Sequence, residues 1–234
     1  MKNRRKEEEN MPQRLLGWTL ILFLAFFSLA AAKNYDKPHE LVDRSYITLQ
    51  KFLQDEDMAW LRQHLEKAKG IIIVPQLLKG AFFVGGAGGS GVFLVRSGAC
   101  EWTYPAFYTL GSVSLGLQIG GETAELILLV MSQKGVDALL STAVKLGGDV
   151  SVAAGPIGMR AKAQVADILA FGYAKGAFIG FSVEGAVIKP KDAWNRMYYH
   201  KLVRPVDILY GHKVKNPHAD KLRRLLHDYC QRKP

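Results

Sequence analysis

The sequence predicts an α+β domain in which glycine-rich antiparallel strands form a barrel or sandwich covered by N-terminal helices. Three observations predict this class. Helical periodicity occupies residues 38–65, short β-branched and aromatic runs follow at regular spacing, and 23 glycines in 234 residues punctuate those runs. The chain lacks the sustained alternation of strands and helices that is typical of a parallel sheet.

The N-terminal helical region divides into two helices. Val42, Leu49 and Phe52 recur at helical spacing, and the apolar pattern resumes at Leu61 after an acidic run at residues 55–57. The acidic run therefore predicts the break between two short helices.

Short apolar runs bounded by glycine or proline predict the strands. The predicted strands are residues 70–75, 81–84, 92–95, 112–119, 126–131, 150–154 and 178–187. The apolar spacing of residues 134–146 predicts a helix between the fifth and sixth of these strands.

The C-terminal residues 218–229 predict a basic amphipathic helix. Its apolar face and its basic residues are Leu222, Leu225, Leu226 and Tyr229, and Lys221, Arg223 and Arg224. Two interpretations remain open: the leucines pack onto the domain, or they enter a membrane while the bases contact the headgroups.

Residues 1–32 have the three parts of a secretory signal. Five basic residues precede the apolar run 15–29, and Ala30 and Ala32 form a small-x-small cleavage site. We expect cleavage before Lys33 and export to the periplasm or cell envelope, with a retained N-terminal anchor as the alternative. The predicted domains are thus a signal at 1–32, a core domain at 33–211 and a basic tail at 212–234.

The charge of the chain favours anionic partners. Lys and Arg outnumber Asp and Glu by 31 to 21, and beyond residue 32 by 26 to 18, which leaves a net charge of +8. Because an exported protein is not expected to meet nucleic acid, membrane lipid is the anionic partner that we expect.

Cys100 and Cys230 are too few for a disulfide framework or a cysteine-based zinc site. One bridge between them is an open possibility, because the sequence does not say whether Cys230, near the chain end, is held in place.

The glycines at 86–91 formally match a dinucleotide-binding fingerprint. That fingerprint requires a helix after the glycines, whereas the run 92–95 that follows is typical of a strand. We therefore expect Gly88, Gly89 and Gly91 to have structural roles, either in a bend between two strands or where backbones approach closely.

The sequence has no recognisable catalytic constellation. Its six histidines are scattered without metal-ligand spacing, Ser90 lacks an identifiable base, and an exposed turn accounts for Glu122 and Glu125. We expect no enzymatic activity, no metal and no cofactor.

Taken in order, the motifs of the chain resemble the SYLF domain, the lipid-binding domain of certain actin-associated proteins. The resembling segments are residues 66–75, 79–84, 88–92, 102–105, 116–120, 149–158, 173–185 and 195–199. The resemblance covers roughly residues 38–210. With its N-terminal signal, the chain resembles the exported single-domain bacterial members of this family. The resemblance implies non-catalytic binding of acidic phospholipids and, in some eukaryotic members, of actin. An exported protein is not expected to meet the actin of its own cell.

Eukaryotic members of the resembling family use a lysine-rich first helix on membranes, whereas the matching helix at 38–53 is nearly neutral. Two other basic groups are therefore the predicted lipid-binding residues, namely Lys67, Lys69 and Lys79, and Lys221, Arg223 and Arg224. We favour the C-terminal group because its leucines could add buried apolar area. The alternative function is a structural or interaction module of the cell envelope with incidental lipid affinity.

Overall fold

A computed structural model of the chain describes residues 37–79, 87–112, 123–154, 166–174, 177–178 and 183–231. All of these residues except Lys37 fall in one unit, Pro38–Pro234. Three predictions fall outside the described residues. They are the signal at 1–32, the strand at 81–84 and, except for its first residue, the strand at 112–119.

Six α-helices lie in the described part of the chain. They are α1 (Lys37–Gln54), α2 (Ala59–Leu65), α3 (Gln133–Leu139), α4 (Asp192–Tyr199), α5 (Pro205–Leu209) and α6 (Asp220–Gln231). The predicted break at the acidic run is confirmed, since a 3-10 helix at Glu56–Met58 separates α1 from α2. There the Asp55 carboxylate accepts a hydrogen bond from the Asp57 N–H at 2.9 Å, and such side-chain caps interrupt a helix.

The nine described strands form one curled, half-barrel sheet. They are β1 (Gly70–Lys79), β2 (Ala87–Val95), β3 (Ala106–Ser112), β4 (Ala124–Val130), β5 (Val144–Lys145), β6 (Val152–Ala154), β7 (Ile168–Ala174), β8 (Ala177–Phe178) and β9 (Val187–Pro190). Eight strands follow the order β5-β9-β3-β2-β1-β4-β7-β6, and β8 pairs with β7. The named strand pairs are antiparallel except β6–β7, which is parallel. The predicted α+β class is confirmed.

Strands β1 and β2 lie at the centre of the sheet. A bulge in β1 explains why β2 has glycine at two of the facing positions. The register of β1 shifts between Ile73 and Gln76, around Pro75, which has no N–H to donate. Opposite this bulge, a Cβ at Gly89 would lie 2.3 Å from the Gln76 carbonyl oxygen, and one at Gly91 would lie 2.6 Å from the Ile73 carbonyl oxygen. These two glycines therefore permit a close backbone approach.

The glycines at 88–91 do not form the bend between two strands that the sequence predicted. Gly88, Gly89 and Gly91 lie inside β2, and neither Gly89 nor Gly91 has a φ in the left-handed region. The predicted strand at 92–95 therefore begins earlier, at Ala87, because strand pairing to the bulged β1 extends through the glycines.

The helix predicted at 134–146 is too long at its C-terminal end. The Ser132 hydroxyl accepts from the Gly135 N–H at 3.0 Å and starts α3, which ends at Leu139. Val144, predicted to be helical, instead pairs with Ile188 in β9. Sheet pairing thus overrides the helical apolar spacing of this segment.

Two further strands of the structure were not predicted. They are β3, which shares only Ser112 with the segment predicted at 112–119, and β7. The single strand predicted at 178–187 is divided between β8 and β9, and Gly185 adopts a φ of 82° in a turn just before β9. The strands predicted at 70–75, 126–131 and 150–154 correspond to β1, β4 and β6.

Residues of the resembling motifs join β3 to α4. The Asn195 side-chain oxygen accepts from the Phe107 N–H at 2.8 Å, and the Tyr199 hydroxyl donates to the Pro105 carbonyl at 2.6 Å. Asn195 is fully buried, so this hydrogen bond is made without competing water. These contacts fix the position of α4, and with it the chain that leads into α5.

Candidate functional site

The C-terminal helix α6, predicted as the main lipid-binding element, packs onto the domain. Leu222 and Leu226 are completely buried in the same core as the strands, and Leu225 is partly buried against it. The Tyr229 hydroxyl donates to the Leu53 carbonyl of α1 at 2.7 Å. The interpretation in which these leucines enter a membrane is wrong, because Leu222 and Leu226 lie in the core of the domain.

Arg223 of α6 is held by three contacts. Its Nε donates to the Trp102 carbonyl at 2.8 Å, its Nη1 lies 3.1 Å from the Asp220 carboxylate, and its guanidinium lies 4.1 Å from the centre of the Tyr104 ring. The Tyr104 hydroxyl donates to the same Asp220 carboxylate at 3.0 Å. Burial, followed by this hydrogen bond, raises the pKa of Tyr104. Arg223 therefore clamps α6 to the segment before β3, and its Nε and Nη1 atoms already have partners within the protein.

A disulfide joins Cys100 to Cys230 and ties the end of α6 to the β2–β3 connection. The Nδ1 atom of His227 lies 3.1 Å from the Cys100 carbonyl oxygen and 3.3 Å from the Glu101 carboxylate. The question that the sequence left open is thus answered in this structure by a bridge that spans 130 residues of sequence.

The three predicted lysines near the first strand lie at its two ends, with Lys67 and Lys69 just before β1 and Lys79 at its last position. Lys67 and Lys69 are exposed, and the Lys69 carbonyl accepts from the Arg96 N–H at 2.8 Å. Arg96 in turn lies over the Trp102 ring at 5.1 Å, so a chain of contacts connects Lys69 to Arg223. The backbone of Lys79 ends β1, and its side chain lies outside the described part of the structure.

A shallow groove of about 360 Å³ runs along α6. It is lined by Glu101, Trp102, Tyr104, Asp220, Arg223, Arg224 and His227. Its two carboxylates offset its two arginines, and one of those arginines is Arg223, which is already held. Exposed Arg224 and Lys221 are therefore the bases of α6 that remain accessible to a ligand.

A second groove, of about 350 Å³, lies between α1 and the strands β1, β4 and β7. Its bases have partners: Lys51 is ion-paired with Glu125, and Arg44 is ion-paired with Glu40 at 3.2 Å. The Lys51 ammonium also lies 4.0 Å from the centre of the Tyr173 ring. This pairing agrees with the nearly neutral character of the first helix.

Asp167 has the most strongly shifted pKa of the carboxylates in the described residues, and its hydrogen bonds connect α3 to the segments before β6 and β7. It accepts hydrogen bonds from the hydroxyl of Ser132, which caps α3, and from the backbone and hydroxyl of Ser151, at 2.9 and 2.8 Å. Burial acts to raise the pKa of Asp167, but these hydrogen bonds and Lys134 outweigh it and lower the pKa to about 2. The cluster therefore holds α3 against β6 and β7.

Sequence reasoning did not single out a further basic stretch of the chain, residues 189–215, which we call the basic segment. It holds seven bases, Lys189, Lys191, Arg196, Lys201, Arg204, Lys213 and Lys215, against two acids, Asp192 and Asp207. Six of these bases are exposed, and Lys191 is half-buried. The segment supplies five of the eight net charges beyond residue 32. A count of charges in a sliding window would have found it.

One acid of the basic segment is already paired. The Asp207 carboxylate lies 2.6 Å from the Lys213 ammonium, accepts from the Arg204 N–H at 3.1 Å and lies 3.8 Å from the Arg204 guanidinium. The hydrogen bond from Lys213, followed by that from the Arg204 N–H, lowers the pKa of Asp207. Lys201, by contrast, has no ion pair with a described residue.

Two features are absent from the described residues. None of their helices has both the length and the hydrophobicity that a membrane crossing requires. Nor do three His, Cys, Asp or Glu side chains among them come together as metal ligands.

The geometry thus defines an α+β domain with a curled sheet, a disulfide-tied C-terminal helix and a concentrated basic surface. The sequence model of the Ysc84 family, described as Las17-binding protein actin regulator, matches residues 111–229. The chain belongs to this family of actin-regulator-associated proteins, which is the SYLF-domain family.

Two eukaryotic proteins illustrate the similarity. Protein YSC84 of Saccharomyces cerevisiae is 33% identical over 170 residues, which cover 69% of this chain and 36% of that protein. SH3 domain-containing YSC84-like protein 1 of Homo sapiens is 30% identical over 174 residues, which cover 72% of this chain and 51% of that protein. The chain spans about half the length, or less, of the curated relatives it matches. No solved structure matches it.

Proposed function

We propose that this protein is exported and binds the surface of membranes rich in acidic phospholipid, without catalysing a reaction. The observation that carries the proposal is the basic segment, where seven bases and two acids share 27 residues. Each base near an anionic surface contributes about 1 kcal/mol, so even a part of this segment is enough for reversible attachment.

Export is supported by two independent features. The first is the signal-like pattern of residues 1–32. The second is the Cys100–Cys230 disulfide, because disulfides persist in oxidising compartments and are rare in the cytosol. In such a compartment the protein would be separated from the actin of its own cell, so we propose no actin-binding role for it.

Co-sedimentation with vesicles tests the lipid proposal. Residues 33–234, which retain the whole described unit, are mixed with vesicles of phosphatidylcholine alone or of phosphatidylcholine with phosphatidylglycerol. We expect binding to the anionic vesicles only, and we expect added salt to weaken it. Equal binding to both kinds of vesicle, or to neither, would overturn the proposal.

A matched pair of double variants tests the basic segment. Lys201→Glu with Arg204→Glu should weaken binding to anionic vesicles about tenfold or more, because two attractive charges become repulsive. Lys67→Glu with Lys69→Glu makes the same change of charge at two exposed positions and should have a smaller effect. The opposite ranking would move the contact to the lysines before β1.

A protein-binding module of the envelope is the competing function. The matching family description names Las17, a protein partner, and this observation favours a protein-binding role. Failure to bind any vesicle, together with specific retention of an envelope protein that is lost in the Lys201→Glu and Arg204→Glu variant, would support the competitor.

The N-terminus of the exported protein tests processing. We expect mass spectrometry of the protein recovered from the envelope to find Lys33 as the first residue. Recovery of the intact chain from membranes would support the retained anchor instead.

A further inference from the structure

Three of the five exposed large apolar side chains in the described residues lie within the basic segment. Leu202 is 81% exposed, and Val206 and Tyr210 are 38% and 44% exposed. Only two other large apolar residues in the described ranges, Ile47 and Leu78, are exposed to a comparable degree. Single exposed apolar residues are ordinary, but three of the five lie within nine residues of sequence, and we call these three the patch.

The chain around this patch is anchored from below. Val203, Pro205, Ile208 and Leu209 are all buried, and they alternate with the exposed residues. The Tyr210 N–H donates to the Val206 carbonyl at 3.1 Å, so these two residues lie one helical turn apart at the C-terminal end of α5. The patch is therefore presented outward by a fixed turn, and the loss of entropy on binding would be small.

The patch is surrounded by positive charge. Lys201 and Arg204 flank Leu202 in sequence, both are exposed, and the nearby carboxylate of Asp207 is occupied by Lys213 and the Arg204 N–H. Tyr210 adds an amphipathic ring, whose hydroxyl accepts from the Gln133 side chain at 2.6 Å. An apolar tip with adjoining bases matches the boundary between acyl chains and anionic headgroups.

We propose that Leu202 and Val206 insert into the headgroup boundary of an anionic membrane, while Lys201 and Arg204 contact lipid phosphates. This inference rests on the proposed lipid-binding function and adds its orientation: α5 faces the membrane. The buried face of α6 is directed into the core. A membrane is favoured over a second copy of the chain because two such basic patches would repel each other.

Leu202→Ser tests the insertion. Its affinity for anionic vesicles should fall about tenfold, because the apolar area of one leucine is no longer removed from water. Ile47→Ser is the matched control, since Ile47 is 61% exposed but lies on α1. Thermal unfolding of both variants should equal that of the parent, which excludes a change in fold.

The salt dependence separates insertion from charge. We expect the binding that remains at high salt to be lost in Leu202→Ser and retained in Ile47→Ser, since salt screens charges but not apolar contact. A Leu202→Trp variant should show blue-shifted fluorescence with anionic vesicles and quenching by brominated acyl chains.

The outcomes distinguish the two proposals. If the parent protein does not bind anionic vesicles, both fail. If the parent binds and Leu202→Ser binds equally well, the insertion is wrong and the lipid-binding function stands. If Leu202→Ser converts a dimer into a monomer on gel filtration with vesicle binding unchanged, the patch is an interface between copies, and the insertion is wrong.

Discussion

The C-terminal helix α6 and the turn leading into α5 have similar amino-acid compositions, but they differ in how far their leucines are exposed. Both combine leucines or valine with lysine and arginine. In α6, Leu222 and Leu226 are completely buried, whereas Leu202 is 81% exposed. In the same way Arg223 is occupied by Trp102 and Asp220, while Lys201 has no ion pair with a described residue. Amphipathic composition therefore marks a surface element without deciding which of its faces is free.

Deleting α6 is the change with the largest expected effect on stability. Truncation after Gly211 should abolish cooperative unfolding, because it removes Leu222 and Leu226 from the core, the Cys230 bridge and the hydrogen bond from Tyr229 to Leu53. Circular dichroism during heating measures this. A truncated protein with an unchanged melting curve would show that α6 is a separate appendage after all.

Single leucines sharpen the contrast. Leu226→Ala should lower the free energy of unfolding by about 2–5 kcal/mol, as for other fully buried leucines. Leu202→Ala should change it by less than about 0.5 kcal/mol, because that side chain is in contact with solvent. Urea denaturation of both variants provides the comparison, and similar losses would mean that the exposure of Leu202 is misassigned.

Removal of the disulfide between Cys100 and Cys230 should have the next largest effect on stability. Cys100→Ser with Cys230→Ser should destabilise the protein by about 2–4 kcal/mol, since the bridge restricts a long stretch of the unfolded chain. Denaturation of the parent with and without a reductant provides an independent measurement. If reductant leaves the midpoint of the parent unchanged, the bridge is absent or contributes nothing.

Adjacent arginines give the smallest expected difference. Arg223→Ala should cost about 1–3 kcal/mol of stability, because the buried Trp102 carbonyl loses its charged donor. Arg224→Ala, at an exposed position, should cost less than about 0.5 kcal/mol. Equal effects on stability would remove Arg223 from its role as a clamp.

Sequence reasoning predicted the class of the fold and the positions of its simplest elements. The acidic run at 55–57 interrupts the helix because aspartate caps compete locally for backbone N–H groups. The apolar runs within 70–75 and 126–131 predict strands because their side chains are buried in the sheet. Such signals are local, so they are visible in the chain itself.

Where partners distant in sequence decide, the predictions were wrong or incomplete. Val144 leaves a helical pattern because Ile188 pairs with it, and the glycines of β2 face a bulge around Pro75 in a neighbouring strand. The lysines at 67 and 69 are exposed, as a surface site requires, but Arg223 is held by Trp102, more than a hundred residues away. Contacts of this kind leave no periodicity in the chain.

The sequence by itself determined the balance of charge, the apolar stretches that can be buried and the family to which the chain belongs. Only the tertiary structure decided that the leucines of α6 are buried and that Leu202 is exposed. The physical reason is that burial depends on which surfaces meet. Both segments offer apolar side chains, but α6 packs against the core, while the residues that anchor α5 leave Leu202 on the outside.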